Sequence, residues 1–395
     1  MANSLSFTQT ATILNSMLSQ AQGRTDLTTA IDERSFVAQA NTLLQMGYEP
    51  FMNAMSQVLS KTIFSVRPYT RKFKGLYADS IRYGNHVRKI SAIDGQFEDD
   101  TTKSLTDGTS VDPWTINKPK AIQFNWYGQN IYQVSKTFPK DQIDTACTGS
   151  DQFGSFITMV LSNVSDMIEQ KHEVTARATL VNLIGAKVKA DSTNVIYLVD
   201  QYKTEKGIVG DFDYKDPDNY PNFARWLFGF IETLSDRLEE RGVLYHMNVT
   251  NKAINRHTPK SEQIMYLYAP VMNSISNEVK SITFNEKFLS EVDFEKVMYW
   301  QSPLDPAKIN VIPNYIDSNG EIASDSDTTP IVLDNVFGVI FDRECAGYTT
   351  INEWSQSTGI NAKGGYSNTF WHFTDRPWLD MTENAIVLVL DSNPS

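Results

Sequence analysis

The histidines and cysteines of this chain form no familiar catalytic or metal-binding pattern. None of the five histidines occurs in an HExxH pair or at a Cys/His spacing that binds zinc: His86, His172, His246, His257 and His372. We expect His172 on the solvent face of a helix and His372 packed within a strand, between Trp371 and Phe373. The sequence has no GxSxG either, which is the nucleophile turn of many hydrolases. These residues predict neither an enzyme nor a resident metal.

Two short segments match known ligand loops only in part. The segment 359–365 has glycines at the separation of a phosphate-binding loop, but Gly365 stands where the lysine is needed. The acidic segment 211–218 begins like a calcium loop, yet Lys215 occupies its fifth position and no glycine or closing glutamate completes it. We therefore expect both segments to be exposed loops, and we predict no cofactor.

The charge balance argues against a protein that grips nucleic acid. The chain of 395 residues has a formal net charge of −12, and its lysines and arginines form no long basic tract. Binding through phosphate groups needs many such cations close together. A protein that encloses nucleic acid without adhering to it is compatible with this composition.

Cysteine usage and hydropathy indicate the kind of compartment in which we expect this protein. Cys147 and Cys345 are too few for a disulfide framework, which favours a reducing compartment. The first twenty residues lack the basic start and the apolar core of a secretory signal. No apolar run is long enough to span a membrane, so we expect no membrane partner.

The N-terminal third predicts helices followed by a long β-hairpin. Residues 1–66 have apolar residues at helical spacing in their second half, interrupted at Gly47 and Pro50. This helical arm packs either on the chain's own core or on a neighbouring molecule. Residues 67–140 contain two strand runs joined by a polar, acidic stretch, which is the pattern of an extended hairpin. A two-stranded ribbon is marginally stable alone, so it needs a partner surface.

The rest of the chain predicts one long helix, a mixed lobe and returning strands. Apolar residues from Phe153 to Ile168 follow the helical i, i+3, i+4 pattern, and we expect this helix to end near Gly185 after roughly 50 Å. Residues 191–335 read as a mixed α/β lobe. In it we predict strands at Asn194–Asp200 and at Glu262–Ile275, the second closed by Pro270. Residues 336–395 are rich in strand patterns, with a glycine- and asparagine-rich loop at 355–368.

This order of elements resembles the Hong Kong 97 fold of the major capsid proteins of tailed bacteriophages. The likeness covers nearly the whole chain, and the stretch Val339–Leu390 is most similar to capsid proteins of small podophages. The resemblance implies an α+β fold with five parts. These are an N-terminal arm at 1–66, an extended E-loop hairpin at 67–140, a peripheral domain with a long spine helix at 141–190, an axial domain at 191–335 and returning peripheral strands at 336–395.

The resemblance also implies a function and a set of contacts. It implies a subunit that self-assembles into hexamers and pentamers of an icosahedral shell around double-stranded DNA, which it encloses without sequence-specific binding. Portal and scaffolding proteins would be further partners, with assembly in the host cytoplasm and a final place in the virion capsid. Intersubunit contacts are expected from the hairpin's basic stem, its acidic tip, two tryptophans and the late loop: Arg71, Lys72, Lys74, Arg82, Arg88, Lys89, Glu98, Asp99, Asp100, Trp114, Trp126, Asn361, Lys363 and Tyr366.

Three alternatives remain open at this point. The subunit of an encapsulin-like nanocompartment would share the fold, although such subunits are typically shorter. A soluble α/β enzyme could assemble a site from scattered residues in the lobe 191–335, since fold alone does not fix function. Tail, portal and adhesin proteins usually show repeats or long coiled coils, and the sequence has neither.

Overall fold

The structure is a computed structural model that describes most of the chain. Within the described part no helix is long and apolar enough to cross a membrane. The described residues are 7–22, 30–46, 50–51, 54, 72–78, 86–93, 100–103, 105–110, 114, 116, 118, 120–190, 192–249, 254–282, 294–323 and 327–391.

The described part of the chain begins with helices and ends with a series of strands. The α-helices are α1 (Phe7–Gln22), α2 (Glu33–Gln45), α3 (Lys140–Ala146), α4 (Ser150–Ala190), α5 (Leu198–Lys206), α6 (Tyr220–Glu239) and α7 (Ala269–Ile282). The strands are β1 (Val87–Ile93), β2 (Lys120–Trp126), β3 (Asn130–Pro139), β4 (Val195–Tyr197), β5 (Gln263–Tyr268), β6 (Glu295–Val297), β7 (Ile309–Val311), β8 (Ile331–Leu333), β9 (Val336–Asp342), β10 (Ala346–Ser357), β11 (Tyr366–Leu379) and β12 (Ala385–Val389).

The long helix α4 joins two hydrophobic cores. It has 41 residues, so its axis is about 60 Å long at 1.5 Å per residue. Its first half buries Phe153 and Ile157 against α1, α2 and a three-stranded sheet. Its second half buries Leu180 and Ile184 in the core of the lobe. The predicted spine helix is therefore confirmed, and it is longer than the sequence pattern indicates.

A carboxylate of the N-terminal arm caps this helix. The backbone N–H of Ser150 donates to Glu33 Oε1 at 2.6 Å, and the Ser150 hydroxyl donates to Oε2. These hydrogen bonds lower the pKa of Glu33, and a negative charge is favourable at the positive end of a helix. Phe36 of α2 packs edge-on against Phe153. The described part of the arm thus packs on the chain's own core.

The three-stranded sheet has the order β10-β11-β3, and both pairings are antiparallel. The strand run that the sequence predicts across residues 121–138 is divided at Gly128. Its first part, β2, pairs with β1 in a separate hairpin, while its second part, β3, pairs with β11. One face of this sheet covers α4, with Trp371 opposite Val134 in register and both buried.

The five-stranded sheet of the lobe has the order β4-β12-β9-β5-β6 and is buried on both faces. In β9, Val339 and Phe341 belong to the core shared with α4. Phe337 and Ile340 point to the opposite side, where they join the core formed with α5, α6 and α7. Val339, Ile340 and Phe341 alternate between the two cores, and an irregularity in the pairing with β12 beside Gly338 puts Phe337 on the same side as Ile340. Together the sheets and helices form the mixed α+β architecture that the sequence predicts.

Two strand predictions in the lobe are confirmed at Val195–Tyr197 and Gln263–Tyr268 but are wrong beyond them, because the apolar runs continue into helices. After β4 the chain turns into α5, whose buried Leu198 and Tyr202 have helical spacing, and Gly207 ends it with φ of +64°. The predicted strand at Glu262–Ile275 is β5 followed directly by α7. Pro270 does not close a strand there. It lies in the first turn of α7, where a missing N–H costs nothing.

Gly185 lies inside α4 and does not end it. A Cβ at this position would come 2.5 Å from Val311 Cγ1 of β7, closer than real Cβ contacts. The glycine therefore lets β7 approach the helix, so the helix continues to Ala190.

We predict opposite effects of alanine at two helical glycines. Gly185→Ala gains about 1 kcal/mol of helix propensity but overpacks against Val311, which costs about 1–3 kcal/mol, so unfolding should become easier. Gly229→Ala in α6 is the matched control, because nothing lies within 4 Å of its Cβ, and it should raise stability by up to about 1 kcal/mol. Urea unfolding of both variants measures the difference. Equal shifts in the same direction would contradict this account.

Both cysteine thiols should be unreactive in the folded chain. Cys147 and Cys345 are buried, and burial raises the pKa of each thiol to about 12. The thiolate is the nucleophile, so neither should react with Ellman's reagent at pH 8 until the chain unfolds. The raised pKa also means that their contribution to stability is present at neutral pH and is lost as pH rises through about 9 towards 12. Rapid labelling in native buffer would show that the thiols are accessible.

Candidate assembly surfaces

The hairpin β1–β2 is an antiparallel ribbon outside both main sheets. Its register runs from Val87 opposite Trp126 to Ile93 opposite Lys120. Beyond these strands the described tip residues are strongly exposed, including large apolar side chains. Trp114 is 84% exposed, Ile116 78% and Leu105 72%. Exposed apolar groups on a projecting element are typical of protein–protein contacts.

Lys89 fixes the base of this hairpin to the rest of the chain. Its ammonium lies 2.7 Å from Glu383 Oε1, 2.9 Å from Glu344 Oε2 and 3.1 Å from Asp380 Oδ2. Arg256 reaches the same Glu383 oxygen at 3.2 Å. The carboxylates come from the turns before β10 and before β12, more than 250 residues away along the sequence. Lys89 is thus already ion-paired within its own chain.

Burial and charge act in opposite directions in this cluster. Desolvation alone would lower the pKa of Lys89, but the Asp380 and Glu383 carboxylates outweigh it and raise that pKa above its usual value. For Glu383, burial raises the pKa of the carboxyl, and the nearby Lys89 and Arg256 charges only partly offset this. An ammonium shared by two buried carboxylates, Asp380 and Glu383, and the exposed Glu344 makes a direction-specific attachment.

Trp126 provides the second attachment of the hairpin. It is half-buried and stacks on Phe124 of the same strand, with ring centroids 5.9 Å apart. Its indole N–H donates to the backbone oxygen of Leu379 at 3.1 Å. The structure therefore places Trp126 at the base of the hairpin, against the end of β11.

The other predicted charges of the hairpin are found at its surface or lie outside the described residues. Arg88 and Lys74 are exposed, and Lys72 is half-buried. Asp100 is exposed and accepts hydrogen bonds from the backbone N–H and hydroxyl of Thr102, which lower the pKa of its carboxyl. The predicted contact residues that lie outside the described residues are Arg71, Arg82, Glu98 and Asp99.

The loop between β10 and β11 is a tight, self-supported turn. The side-chain oxygen of Asn361 accepts the backbone N–H groups of Lys363 and Gly364, each at 3.0 Å. The backbone of Asn361 pairs with that of Tyr366, and Gly365 takes a φ of +62° that favours glycine. Asn361 and Lys363 are exposed while Tyr366 is half-buried. These three predicted residues therefore lie together on one projecting turn.

The outer face of the three-stranded sheet carries an aromatic patch that the sequence does not reveal. Trp354 stacks on His372 with centroids 3.9 Å apart, and Phe370 follows along β11. Ile131 of β3 is 69% exposed and its neighbour Gln133 stands opposite His372 in register. We call Trp354, His372, Phe370 and Ile131 the outer patch. His372 packs as predicted, but Ile131 joins the patch only through the pairing of β3 with β11, which is distant in the sequence.

A buried carboxylate holds the same sheet to α4. Asp375 is fully buried in β11 and accepts hydroxyl hydrogen bonds from Tyr132 at 2.9 Å and Thr350 at 3.0 Å. Nδ1 of His172 lies 3.4 Å from Asp375 Oδ2. The prediction that His172 is a surface residue is wrong: its ring is buried and stacks against Tyr348. The helix is covered there by β10, which a local pattern cannot show.

The acidic segment 211–218 forms a loop held by its own turns. Asp213 accepts the backbone N–H of Lys215, and Asp216 accepts that of Asp218, both at 2.9 Å. Throughout the described residues no group of three or more His, Cys, Asp and Glu side chains is arranged to hold a metal ion.

Solved phage structures share this architecture. A chain in the capsid structure of Staphylococcus phage Andhra matches with a TM-score of 0.52 at 9% identity, covering 82% of this chain and 86% of that one. A chain in the structure of the head fiber and inner core protein gp22 of native bacteriophage P68 also gives 0.52, at 12% identity, covering 82% and 85%. No family model and no curated protein matches the sequence. At such identities the likeness shows the fold: this chain has the α+β fold of a phage capsid structure, as the order of elements predicts.

Asn361 should control the order of the β10–β11 turn. Asn361→Ala removes the acceptor of two backbone N–H groups. At about 1 kcal/mol per hydrogen bond, amide exchange at Lys363 and Gly364 should rise about fivefold. Hydrogen exchange measured by mass spectrometry tests this, with Lys363→Ala as the control because that side chain is exposed. Unchanged exchange in Asn361→Ala would show that the turn is ordered by other contacts.

Proposed function

We propose that this chain is the subunit of a phage capsid that self-assembles into hexamers and pentamers around double-stranded DNA. The observation that carries the proposal is the combination of a capsid fold over most of the chain with a projecting hairpin whose tip exposes Trp114 and Ile116. Such a tip is costly for a monomer in water, but it becomes favourable when a neighbouring subunit covers it.

We propose the outer patch of a second copy as the surface that receives the hairpin tip. The tip offers apolar side chains on a narrow ribbon, and the outer patch offers stacked rings on a broad sheet face. Aromatic anchors in such contacts carry much of the binding energy. The exposed charges Arg88, Lys74 and Asp100 would then set register with oppositely charged neighbours more than they set affinity.

We also propose that the turn with Asn361, Lys363 and Tyr366 makes contacts between capsomers. The turn is ordered by its own hydrogen bonds and projects from the end of a long strand pair. Its order before assembly lowers the entropy cost of forming a contact there.

The charge of the chain supports enclosure of DNA without adhesion. A net charge of −12 repels a polyanion at low salt. We place assembly in the host cytoplasm and the finished protein in the virion capsid. Portal and scaffolding proteins are the further partners of this proposal. Purified particles that contain a packaged enzyme in place of DNA would instead identify an encapsulin-like compartment.

Shortening the hairpin tip should abolish assembly without unfolding the subunit. Residues 100–116, which include Trp114 and Ile116, are replaced by a Gly-Ser-Gly linker, and the variant is compared with the parent by size exclusion, negative-stain microscopy and circular dichroism. We expect a folded chain with an unchanged melting temperature that forms no shells or tubes, because the tip lies outside the three buried cores. Normal particles from this variant would overturn the assigned role of the hairpin.

The outer patch is tested by single substitutions on the same background. Trp354→Ser removes an exposed ring of the patch, so shell yield should fall while the monomer stays folded. Met159→Ser is the matched control, because Met159 is also exposed but lies on α4, away from the patch. Equal loss of assembly in both variants would mean that the patch has no special part in the contact.

A further inference from the structure

An open cleft of about 580 Å³ lies where four parts of the described chain meet. Its lining comes from the segment 125–130, which joins β2 to β3, and from α4 between Thr175 and Asn182. The segment 314–322 and the end of β11 complete it. A cleft of this volume is typical of sites that take a small organic ligand.

The lining of this cleft contains no charged side chain. None of its 17 residues is Asp, Glu, Lys, Arg or His, although 21% of the chain is charged. Eight of them are asparagines or large aromatic residues: Asn125, Asn130, Asn182, Asn314, Trp126, Tyr127, Tyr315 and Trp378. A charged ligand would lose hydration in this cleft without gaining an oppositely charged partner. The lining therefore favours an uncharged ligand with both polar and apolar surface.

Hydrogen bonds between the walls hold the cleft in shape. Asn182 Nδ2 donates to the backbone oxygen of Asn314, and Asn182 Oδ1 accepts the backbone N–H of Asn314, both at 2.7 Å. The indole N–H of Trp126 donates to the backbone oxygen of Leu379 at 3.1 Å. The cleft is thus ordered before a ligand binds, which lowers the entropy cost of binding. The bonds from Asn182 also occupy backbone groups that an added peptide strand would need.

Polar groups and aromatic rings lie side by side in the segment 125–130. Tyr127 is 63% exposed. Neither its hydroxyl nor the side-chain amide of Asn130 has a hydrogen-bond partner among the described residues. Asn125 uses its side-chain oxygen for Gln123 at 3.1 Å, which leaves its N–H groups for a ligand. A sugar ring matches this combination, because it has an apolar face of C–H groups and a rim of hydroxyl groups.

We propose that this cleft binds a neutral oligosaccharide. The sugar rings pack on Tyr127 and Trp378, and their hydroxyl groups bind the side-chain amides of Asn125 and Asn130. The absence of charge selects against acidic sugars, and the open shape of the cleft admits a chain of several sugar units. This binding goes beyond the proposed shell function and depends only on the cleft, so either can fail without the other.

Binding is tested by titration calorimetry on the unassembled, full-length chain. The ligands are short neutral oligosaccharides of glucose, mannose, galactose or N-acetylglucosamine. At least one should bind with a Kd of about 10 μM to 1 mM and change tryptophan fluorescence, because Trp126 and Trp378 line the cleft. An acidic oligogalacturonate should bind at least about tenfold more weakly.

Three outcomes of this titration would overturn the proposal. They are no binding by any of the neutral oligosaccharides, equal binding by the oligogalacturonate, and equal binding by an uncharged peptide of serine, glutamine and glycine. The last result would identify a peptide site instead.

Two substitutions on α4 locate the bound sugar. Ala178→Phe places a ring in the cleft from an exposed position and should lower the affinity at least about tenfold. Val174→Phe is the matched control, because Val174 is also exposed, one turn earlier on the same helix, but does not line the cleft. Circular dichroism checks that both variants are folded. Unchanged affinity in Ala178→Phe, or equal loss in both variants, would contradict the assignment.

A second variant tests the site without adding bulk. Tyr127→Ser removes an exposed ring of the lining and should weaken binding about fivefold. Trp354→Ser is its control, because Trp354 is an exposed ring outside the cleft, and its affinity for the sugar should equal that of the parent. Unchanged affinity in Tyr127→Ser would overturn the role of the cleft even if Ala178→Phe does not fold.

Discussion

The continuity of α4 is the constraint on which the rest of the structure depends. Its first half is one wall of the core beneath the three-stranded sheet, and its second half is one wall of the core beneath the five-stranded sheet. A break between Ile168 and Ala176 would leave two small cores joined by a hinge. The unbroken helix instead fixes the orientation of one core relative to the other. The hydrogen bonds from Ser150 to Glu33 stabilise the first turn of this helix.

Buried polar groups fix the positions of sheets and helices relative to one another, which apolar packing alone leaves undetermined. Hydrophobic contacts favour burial but are not directional, so sheets can slide over a helix with little loss. Asp375 opposes this at the first core, because it contacts Thr175 and His172 of α4 at 3.4 Å while it also accepts the hydroxyls of Tyr132 and Thr350 within its own sheet. Lys89 performs the corresponding task for the hairpin. In both places the charge is distant in sequence from most of its partners and specifies one arrangement.

The sequence predicts the elements whose signals are local. The apolar spacing from Phe153 to Ile168 identifies α4, and two strand runs identify the hairpin. Where a residue's role depends on distant parts of the chain, the prediction is wrong or missing. From the sequence alone, Gly185 is predicted to end the helix and His172 to lie at its surface. The structure shows instead that Val311 of β7 lies against Gly185 and that β10 covers His172. The outer patch also needs the pairing of β3 with β11.

The position of the last strand determines when the five-stranded sheet can be completed during synthesis. β12 lies inside the five-stranded sheet, between β4 and β9. β3 pairs with β11, so the three-stranded sheet cannot form before β11 has been synthesised. The three-stranded sheet is therefore incomplete until β11 has been synthesised, and the five-stranded sheet is incomplete until β12 has been synthesised as well. A chain that ends before β11 has neither sheet complete, so we expect such a fragment to stay unfolded.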